Sequence, residues 1–341
     1  MRTNRKAAGR TAAALLTACA LALVAGCSGS GGKDSEDEAD DGGGGGGTAA
    51  KTPRMKIAMV THSGEGDTFW DIVQSGAKVA AAKDNVDFLY AANKEGKEQA
   101  QLIQSYIDQD VDGLVVSLAK PEAVKAVIAK ATAAGIPVVT INSGAEFSKP
   151  FGALSHIGQD EAIAGEAVGE ELTKRGKKKA LCVIHEQGNV SLEERCAGVK
   201  KAFGGTVENL NVEGTNMPSS TSSIEAKLQS AKSTDEFDTV VTLGAPFAAA
   251  SVKAKAGAGS NAEINTFDLN EDVVKQLKAK EIGFAVDQQP YLQGYLAVDE
   301  LWLNKNNGNV VGGGKPVLTG PALVTEKDVP ALEKFTARGT R

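Results

Sequence analysis

Short apolar runs alternate with helical patterns from residue 55 to the mid-320s. The first run, residues 56–61, indicates a strand buried on both faces. Apolar residues then recur at helical spacing, at Phe69, Val73, Ala77 and Ala80. The same criteria predict further strands at 88–92, 113–117, 137–141, 180–185, 206–213, 239–243, 263–267 and 283–287. They predict helices around residues 100–107 and at 121–135, 160–174, 191–203, 220–231, 247–256, 271–280 and 291–303.

This alternation runs through two series of similar length, which restart beyond Gly158. Repeated strand–helix units favour a parallel sheet with helices on both faces. The sequence therefore predicts an α/β fold with two doubly wound parallel-sheet lobes. The body of roughly 290 residues is long enough for two separate cores.

The first 26 residues have the pattern of a lipoprotein signal peptide. Basic residues precede an apolar stretch at 11–25, and small residues then lead directly to Cys27. The thiol of Cys27 is the expected site of lipid attachment. An uncleaved anchor helix is the alternative, but the apolar stretch is short for a membrane span. The prediction is an exported protein, lipid-anchored to the outer face of the cytoplasmic membrane.

Residues 27–54 are predicted to form a flexible acidic and glycine-rich linker. An acidic run at 33–41 is followed by six glycines at 42–47. The glycines match a dinucleotide-binding pattern only trivially, because no strand precedes them and no helix follows. Removing the basic signal lowers the formal net charge from −6 to about −10, which argues against a nucleic-acid partner.

Polar and aromatic residues follow several of the predicted strands. In open α/β sheets, ligands bind beyond the carboxyl ends of the strands. The predicted ligand-binding residues are His62, Asp67, Phe69, Trp70, Asn142, Ser143, Arg195, Asn216, Asp268 and Gln288. Taken singly, Asp67 could be a helix cap, Phe69 and Trp70 core residues, and Asn142 a turn residue. Together they suit a ligand with many hydroxyl groups and an apolar C–H face, such as a carbohydrate.

Several motifs in order resemble one family. They are Lys56-Ile57-Ala58-Met59-Val60 with Phe69-Trp70, Asp112-Gly113-Leu114-Val115-Val116, Gly135-Ile136-Pro137-Val138-Val139, His156-Ile157-Gly158-Gln159-Asp160, Phe267-Asp268 and Asp287-Gln288-Gln289-Pro290-Tyr291-Leu292-Gln293-Gly294-Tyr295. From residue 56 to the mid-320s the chain resembles the type I sugar-binding proteins of ABC importers, the group that contains the ribose-binding protein. The resemblance implies the type I periplasmic-binding-protein fold, with lobes joined by a multi-strand hinge near Ser155, Gln288 and Gly320.

The resemblance also implies the domain limits. The N-terminal lobe is expected at 55–155 plus 289–319, and the C-terminal lobe at 156–288 plus 320–341. Arg195, Asp268 and Gln288 match the family's sugar contacts. Asn142-Ser143 stands where the family often has Asp-Arg, and Gly244 stands where Asn is common, so the identity of the sugar stays open.

The function implied is capture of a monosaccharide or polyol by lobe closure, for delivery to the permease and ATPase subunits of an ABC importer. A monomer is expected. Two alternatives remain open: a subunit that presents its ligand to a membrane sensor, and a binder of a nucleoside or furanoid signal.

Enzymatic function is not expected, because catalytic motifs such as a nucleophile elbow or a phosphate loop are absent from the sequence. No cofactor is predicted. A metal site is not predicted either, since His62, His156 and His185 do not pair at ligand spacing. For an exported protein, a disulfide between Cys182 and Cys196 is the preferred interpretation, with two buried thiols as the alternative.

Overall fold

The computed structural model describes residues 49–64, 67–231 and 236–341. The predicted signal peptide, the predicted lipidation site Cys27 and most of the predicted linker lie outside the described residues. In the part of the chain that is described, no helix is long and apolar enough to cross a membrane.

The first lobe is built on a six-stranded sheet. Its elements up to the first crossing are β1 Met55–Thr61, α1 Thr68–Lys83, β2 Val86–Ala92, α2 Gly96–Ile107, β3 Gly113–Ser117, α3 Pro121–Ala133, β4 Val138–Ile141, α4 Ala145–Ser148 and β5 Ser155–Gln159. Strands β3 and β4 are buried along their whole length, as expected for parallel strands covered by helices on both faces.

The second lobe has its own six-stranded sheet. It contains α5 Glu161–Lys174, β6 Lys179–Ile184, α6 Val190–Ala202, β7 Thr206–Asn211, α7 Met217–Ala231, β8 Thr239–Thr242, α8 Ala245–Ala258, β9 Glu263–Phe267, α9 Glu271–Lys278 and β10 Ile282–Asp287. The chain then forms α10 Pro290–Asn307, β11 Val317–Gly320, β12 Ala322–Val324 and α11 Val329–Thr336.

The sheet orders are β11-β5-β4-β3-β1-β2 and β12-β10-β9-β8-β6-β7. The pairs in the first sheet are all parallel, and in the second only the short edge strand β12 runs antiparallel, against β10. Each sheet has apolar clusters on both faces. The predicted α/β class with two doubly wound lobes is thereby confirmed.

The chain passes between the sheets three times, after β5, after β10 and between β11 and β12. The crossings converge at Gly320. A Cβ atom at this position would lie 2.9 Å from the carbonyl oxygen of Asp287 and 3.2 Å from Oε1 of Gln159. Glycine therefore allows the three connecting segments to lie against one another.

Two features fix individual elements to the lobes. A disulfide joins Cys182 on β6 to Cys196 on α6, with their Cα atoms 6.0 Å apart, as the sequence predicts. Before β1, the hydroxyl of Thr52 accepts a hydrogen bond from Nε1 of Trp302 at 3.1 Å, and its carbonyl accepts one from Nδ2 of Asn85 at 2.9 Å. Thr52 is thus already attached to the folded body, although the sequence predicts that the first lobe begins at residue 55.

Helices α1 and α10 approach each other at two glycines. A Cβ atom on Gly294 would overlap the carbonyl oxygen of Val73, and one on Gly76 would overlap that of Tyr291. These contacts set the position of α10, which follows the second crossing of the hinge.

We expect Gly294→Ala to destabilise the protein by about 1–3 kcal/mol, because the added methyl group must force α1 and α10 apart. The measurement is the free energy of unfolding in urea. Gly204→Ala is the control, since a Cβ atom there meets only the Thr173 side chain at 3.4 Å. Equal effects of the two substitutions would contradict close helix packing as the cause.

Candidate functional site

A cavity of about 270 Å³ lies between the two lobes, where the carboxyl ends of their strands face each other. It contains nine of the ten predicted ligand-binding residues. From the first lobe and the hinge its lining includes His62, Asp67, Phe69, Trp70, Lys94, Asn142, Ser143 and Gln288. From the second lobe it includes His185, Glu186, Asn189, Ser191, Leu192, Arg195, Met217, Gly244, Phe247 and Asp268.

Asn216 is the predicted residue that the structure places elsewhere. Its neighbours Thr215 and Met217 line the cavity, whereas Asn216 is exposed. Its Oδ1 accepts a hydrogen bond from the backbone nitrogen of Ser219 at 3.0 Å. This bond satisfies a free backbone N–H group at the start of α7, so Asn216 acts as a helix cap.

His62 follows β1, and its ring is held by Ser117. Its Nδ1 lies 2.7 Å from the Ser117 hydroxyl, and its backbone nitrogen donates to the same hydroxyl at 3.0 Å. Burial lowers the pKa of His62. From the second lobe, Nδ2 of Asn189 lies 3.4 Å from Nε2 of His62. Since Oδ1 of Asn189 accepts from Ser191, its Nδ2 is the donor, and Nε2 of His62 is therefore the acceptor.

Asp67 combines two roles that the sequence left as alternatives. It caps α1, because its Oδ1 accepts from the backbone nitrogen of Phe69 at 3.1 Å, and it also lines the cavity. Burial raises the pKa of Asp67 to about 6, although the hydrogen bond from Phe69 opposes this shift. Its carboxyl group thus keeps unused hydrogen-bonding capacity beside the cavity.

The two aromatic residues differ in exposure. Trp70 is 2% exposed and belongs to the core of the first lobe, while Phe69 is half-buried. The Trp70 ring makes edge contacts with the rings of Phe69 and His62, at centroid distances of 5.2 and 5.0 Å. Trp70 therefore supports the wall that Phe69 and His62 form.

Arg195 on α6 is buried and paired with Glu161 at the start of α5. Its Nε and Nη2 atoms donate to the two carboxylate oxygens of Glu161 at 2.6 and 2.8 Å, and its Nη1 donates to the carbonyl of Leu243 at 3.1 Å. A guanidinium group has five N–H donors. Two donors remain for a ligand, while Glu161 balances the charge.

Gln288 joins the two lobes at the hinge. Its Nε2 donates to Oδ1 of Asp268 in the second lobe at 2.6 Å, and its Oε1 accepts from Nδ2 of Asn142 in the first lobe at 3.1 Å. Asn142 and Asp268 follow β4 and β9, and both have left-handed backbone conformations, with φ of 64° and 68°. The hydroxyl of Ser143 donates to Oδ1 of Asn142 at 2.8 Å.

The lobes also touch across the mouth of the cavity. The backbone nitrogen of Val190 donates to the carbonyl of Ala119 at 3.1 Å, and Nζ of Lys120 lies 3.4 Å from Oε1 of Glu186. These contacts join α6 and the loop before it to the loop after β3. The structure therefore has a closed arrangement of the lobes.

Sequence reasoning did not select Glu161, His185, Glu186, Asn189 or Phe247. Applied to β5 and β6, the strand-end rule would have found Glu161, His185 and Glu186. Asn189 and Phe247 lie at the starts of α6 and α8, where local patterns do not separate a cavity wall from a helix cap or a core position.

Asp268 provides a test of the electrostatics of the site. Burial raises its pKa to about 7, despite the opposing effect of Arg195. In the unfolded chain the pKa is near 3.9. Between these values the folded protein binds more protons than the unfolded chain. The free energy of unfolding therefore falls as the pH rises from about 4 to 7.

We therefore expect the stability of Asp268→Asn relative to the wild type to increase by about 2–3 kcal/mol between pH 5 and pH 8. Urea unfolding of the unliganded proteins at both pH values is the measurement. Asp110→Asn, at an exposed turn position, is the control. A difference between Asp268→Asn and wild type that does not change with pH would contradict the raised pKa.

Comparison with known proteins places the chain in a family. A family model described as a periplasmic binding protein domain matches residues 57–307. The ribose import binding protein RbsB of Bacillus subtilis is 22% identical over 236 residues, which cover 68% of this chain and 75% of RbsB.

Solved structures give closer similarity. A carbohydrate transporter from Acidothermus cellulolyticus, in complex with myo-inositol, is 47% identical with a TM-score of 0.83, covering 85% of this chain and 100% of that one. An ABC transporter solute-binding protein from Burkholderia graminis, in complex with D-arabinose, is 26% identical with a TM-score of 0.72, covering 80% and 96%. The chain therefore belongs to the periplasmic binding protein family, as a type I sugar-binding protein of the ABC importer type.

Proposed function

We propose that this protein captures an uncharged monosaccharide or cyclic polyol by closure of its lobes and delivers it to an ABC permease without altering it chemically. The observation that carries the proposal is the linkage of Asn142, Gln288 and Asp268, which brings polar groups of both lobes to one cavity. A ligand that contacts both lobes stabilises the closed form, because those contacts exist together only there.

The charge balance favours an uncharged ligand. Arg195 is neutralised by Glu161 through two hydrogen bonds, so its remaining donors present little net positive charge. Asp67 and Asp268 have raised pKa values, of about 6 and 7. Among the described residues that line the cavity, an added carboxylate or phosphate would meet no unpaired buried cation, since Lys94 is exposed. Hydroxyl groups, in contrast, can both donate to the carboxyl oxygens and accept from the guanidinium.

The shape and lining of the cavity favour a ring. Phe69 offers a half-buried aromatic surface to the apolar C–H face of a cyclic polyol. The Acidothermus protein, which is 47% identical, was solved with myo-inositol, and we take myo-inositol as the first ligand to test. The Burkholderia protein was solved with D-arabinose, which makes a pentose the second.

We expect myo-inositol or a pentose to raise the melting temperature and to give a measurable affinity by calorimetry. Asn142→Gly should weaken binding by about 10-fold, because it removes one side chain at the cavity while keeping a residue suited to the left-handed backbone. Asp110→Gly is the matched control, since Asp110 is exposed and has φ of 52°.

Two results would contradict this ligand class: no binding of any tested monosaccharide or polyol, or tighter binding of a sugar phosphate than of the parent sugar. Product analysis after prolonged incubation should recover the ligand unchanged. Delivery is tested by a separate experiment on the producing cells. Deletion of the protein should abolish their uptake of labelled ligand.

We also propose that Cys27 carries a lipid and that the chain up to residue 48 tethers the folded body to the membrane. Cys27→Ala should move the protein from the membrane fraction to the soluble extracellular fraction and abolish labelling by a fatty-acid analogue. Cys19→Ala, within the predicted signal, is the control and should leave both unchanged. Membrane retention of Cys27→Ala would contradict the proposal.

A further inference from the structure

His185 is a residue of the cavity that the proposed function has not used. It directly follows β6 in the second lobe and lines the cavity. Among the described residues, neither ring nitrogen has a hydrogen-bond partner; Nδ1 is fully enclosed, while Nε2 retains some access. A buried polar atom without a partner is uncommon in a native protein.

The ring has a defined position. It stacks on the ring of Phe247, with the centroids 4.2 Å apart and the planes 15° from parallel. A Cβ atom on Gly244 would lie 3.2 Å from Cε1 of His185, closer than ordinary van der Waals contact. The space for the imidazole therefore depends on the absence of a side chain at residue 244, whose backbone is extended and would accept other residues.

The imidazole is neutral at physiological pH. Burial, with a smaller effect from Arg195, lowers the pKa of His185 to about 3. A neutral imidazole has one N–H donor and one acceptor. An enclosed N–H without a partner is rarer than an enclosed acceptor without one. We therefore assign the proton to Nε2, the nitrogen with access, and the lone pair to Nδ1.

We propose that His185 is a specificity-determining residue, which donates a hydrogen bond from Nε2 to one ligand hydroxyl on the side of the second lobe. This inference rests on the proposed function, because it requires a polyhydroxylated ligand. His185 thereby supplies a side-chain donor next to Gly244, a position that has no side chain of its own. A ligand that lacks this hydroxyl leaves the imidazole donor unsatisfied.

The test uses myo-inositol and its monodeoxy analogues as probes, with affinities measured by calorimetry. His185→Phe keeps a ring that can stack on Phe247 but removes both nitrogens. We expect it to weaken myo-inositol binding by about 5- to 10-fold, while binding one monodeoxy analogue as well as the wild type does. Gln187→Ala, on the exposed loop beside His185, is the matched control.

A second variant tests the position of the ring. Gly244→Ala should weaken myo-inositol binding in the wild type, because its methyl group displaces the imidazole. Its effect should be smaller in a His185→Ala background, where no ring is left to displace. Melting temperatures of the unliganded variants report whether each one folds.

The outcomes separate the two proposals. If the wild type binds no tested polyol, the proposed function fails and this inference fails with it. If the wild type binds, this inference alone is overturned by either of two results: unchanged affinity of His185→Phe for myo-inositol, or an equal loss for myo-inositol and every deoxy analogue. An equal loss would mean that His185 only supports the wall.

Discussion

The hydrogen bonds of the Gln288 side chain are the interaction on which the closed cavity depends. One amide group accepts from Asn142 in the first lobe and donates to Asp268 in the second. Its Oε1 also accepts from Nε2 of Gln293 at 3.1 Å, and Gln293 in turn donates to the hydroxyl of Thr319 at 3.2 Å. Gln288 thus links two strand ends, α10 and the third crossing. Its hydrogen-bonding atoms are largely used by the protein, so its main contribution is to position Asn142 and Asp268.

A second constraint is the buried ion pair of Arg195 and Glu161. A buried guanidinium costs free energy unless it is paired and hydrogen-bonded, and Glu161 together with the carbonyl of Leu243 meets both requirements. The disulfide at Cys196 fixes the adjacent residue of α6 to β6. Arg195 therefore presents its two remaining donors from a position set by a covalent bond and by a salt bridge. Such preorganisation reduces the entropy lost on binding.

Much of the fold could be predicted from local patterns. Buried runs such as residues 113–117 indicated strands, Pro121 marked the start of a helix, and the restart beyond Gly158 indicated the second lobe. Short elements without a strong pattern, such as β12 and α4, did not give a comparable signal. Asp67, Asn142 and Asp268 were selected because they follow strands, and the structure places all three on one cavity.

What could not be predicted depends on contacts between distant segments. Glu161 pairs with Arg195 because α5 and α6 come close at Gly165, where a Cβ atom would overlap the backbone carbonyl of Arg195. No pattern within either helix reveals that approach. Asn216 shows a second limit of prediction from the sequence, because a polar residue that follows a strand can cap the next helix instead of contacting a ligand. Its cap and its exposure become visible only with the side chain in place.

The anchoring of Thr52 has a consequence for how the two lobes can move. Trp302 and Asn85 hold this residue just ahead of β1, at the amino ends of the strands, while the cavity lies at their carboxyl ends. The segment that leads into β1 therefore joins the first lobe on the side away from the cavity. Because these hydrogen bonds join Thr52 to the first lobe alone, the second lobe can rotate about the hinge without breaking them.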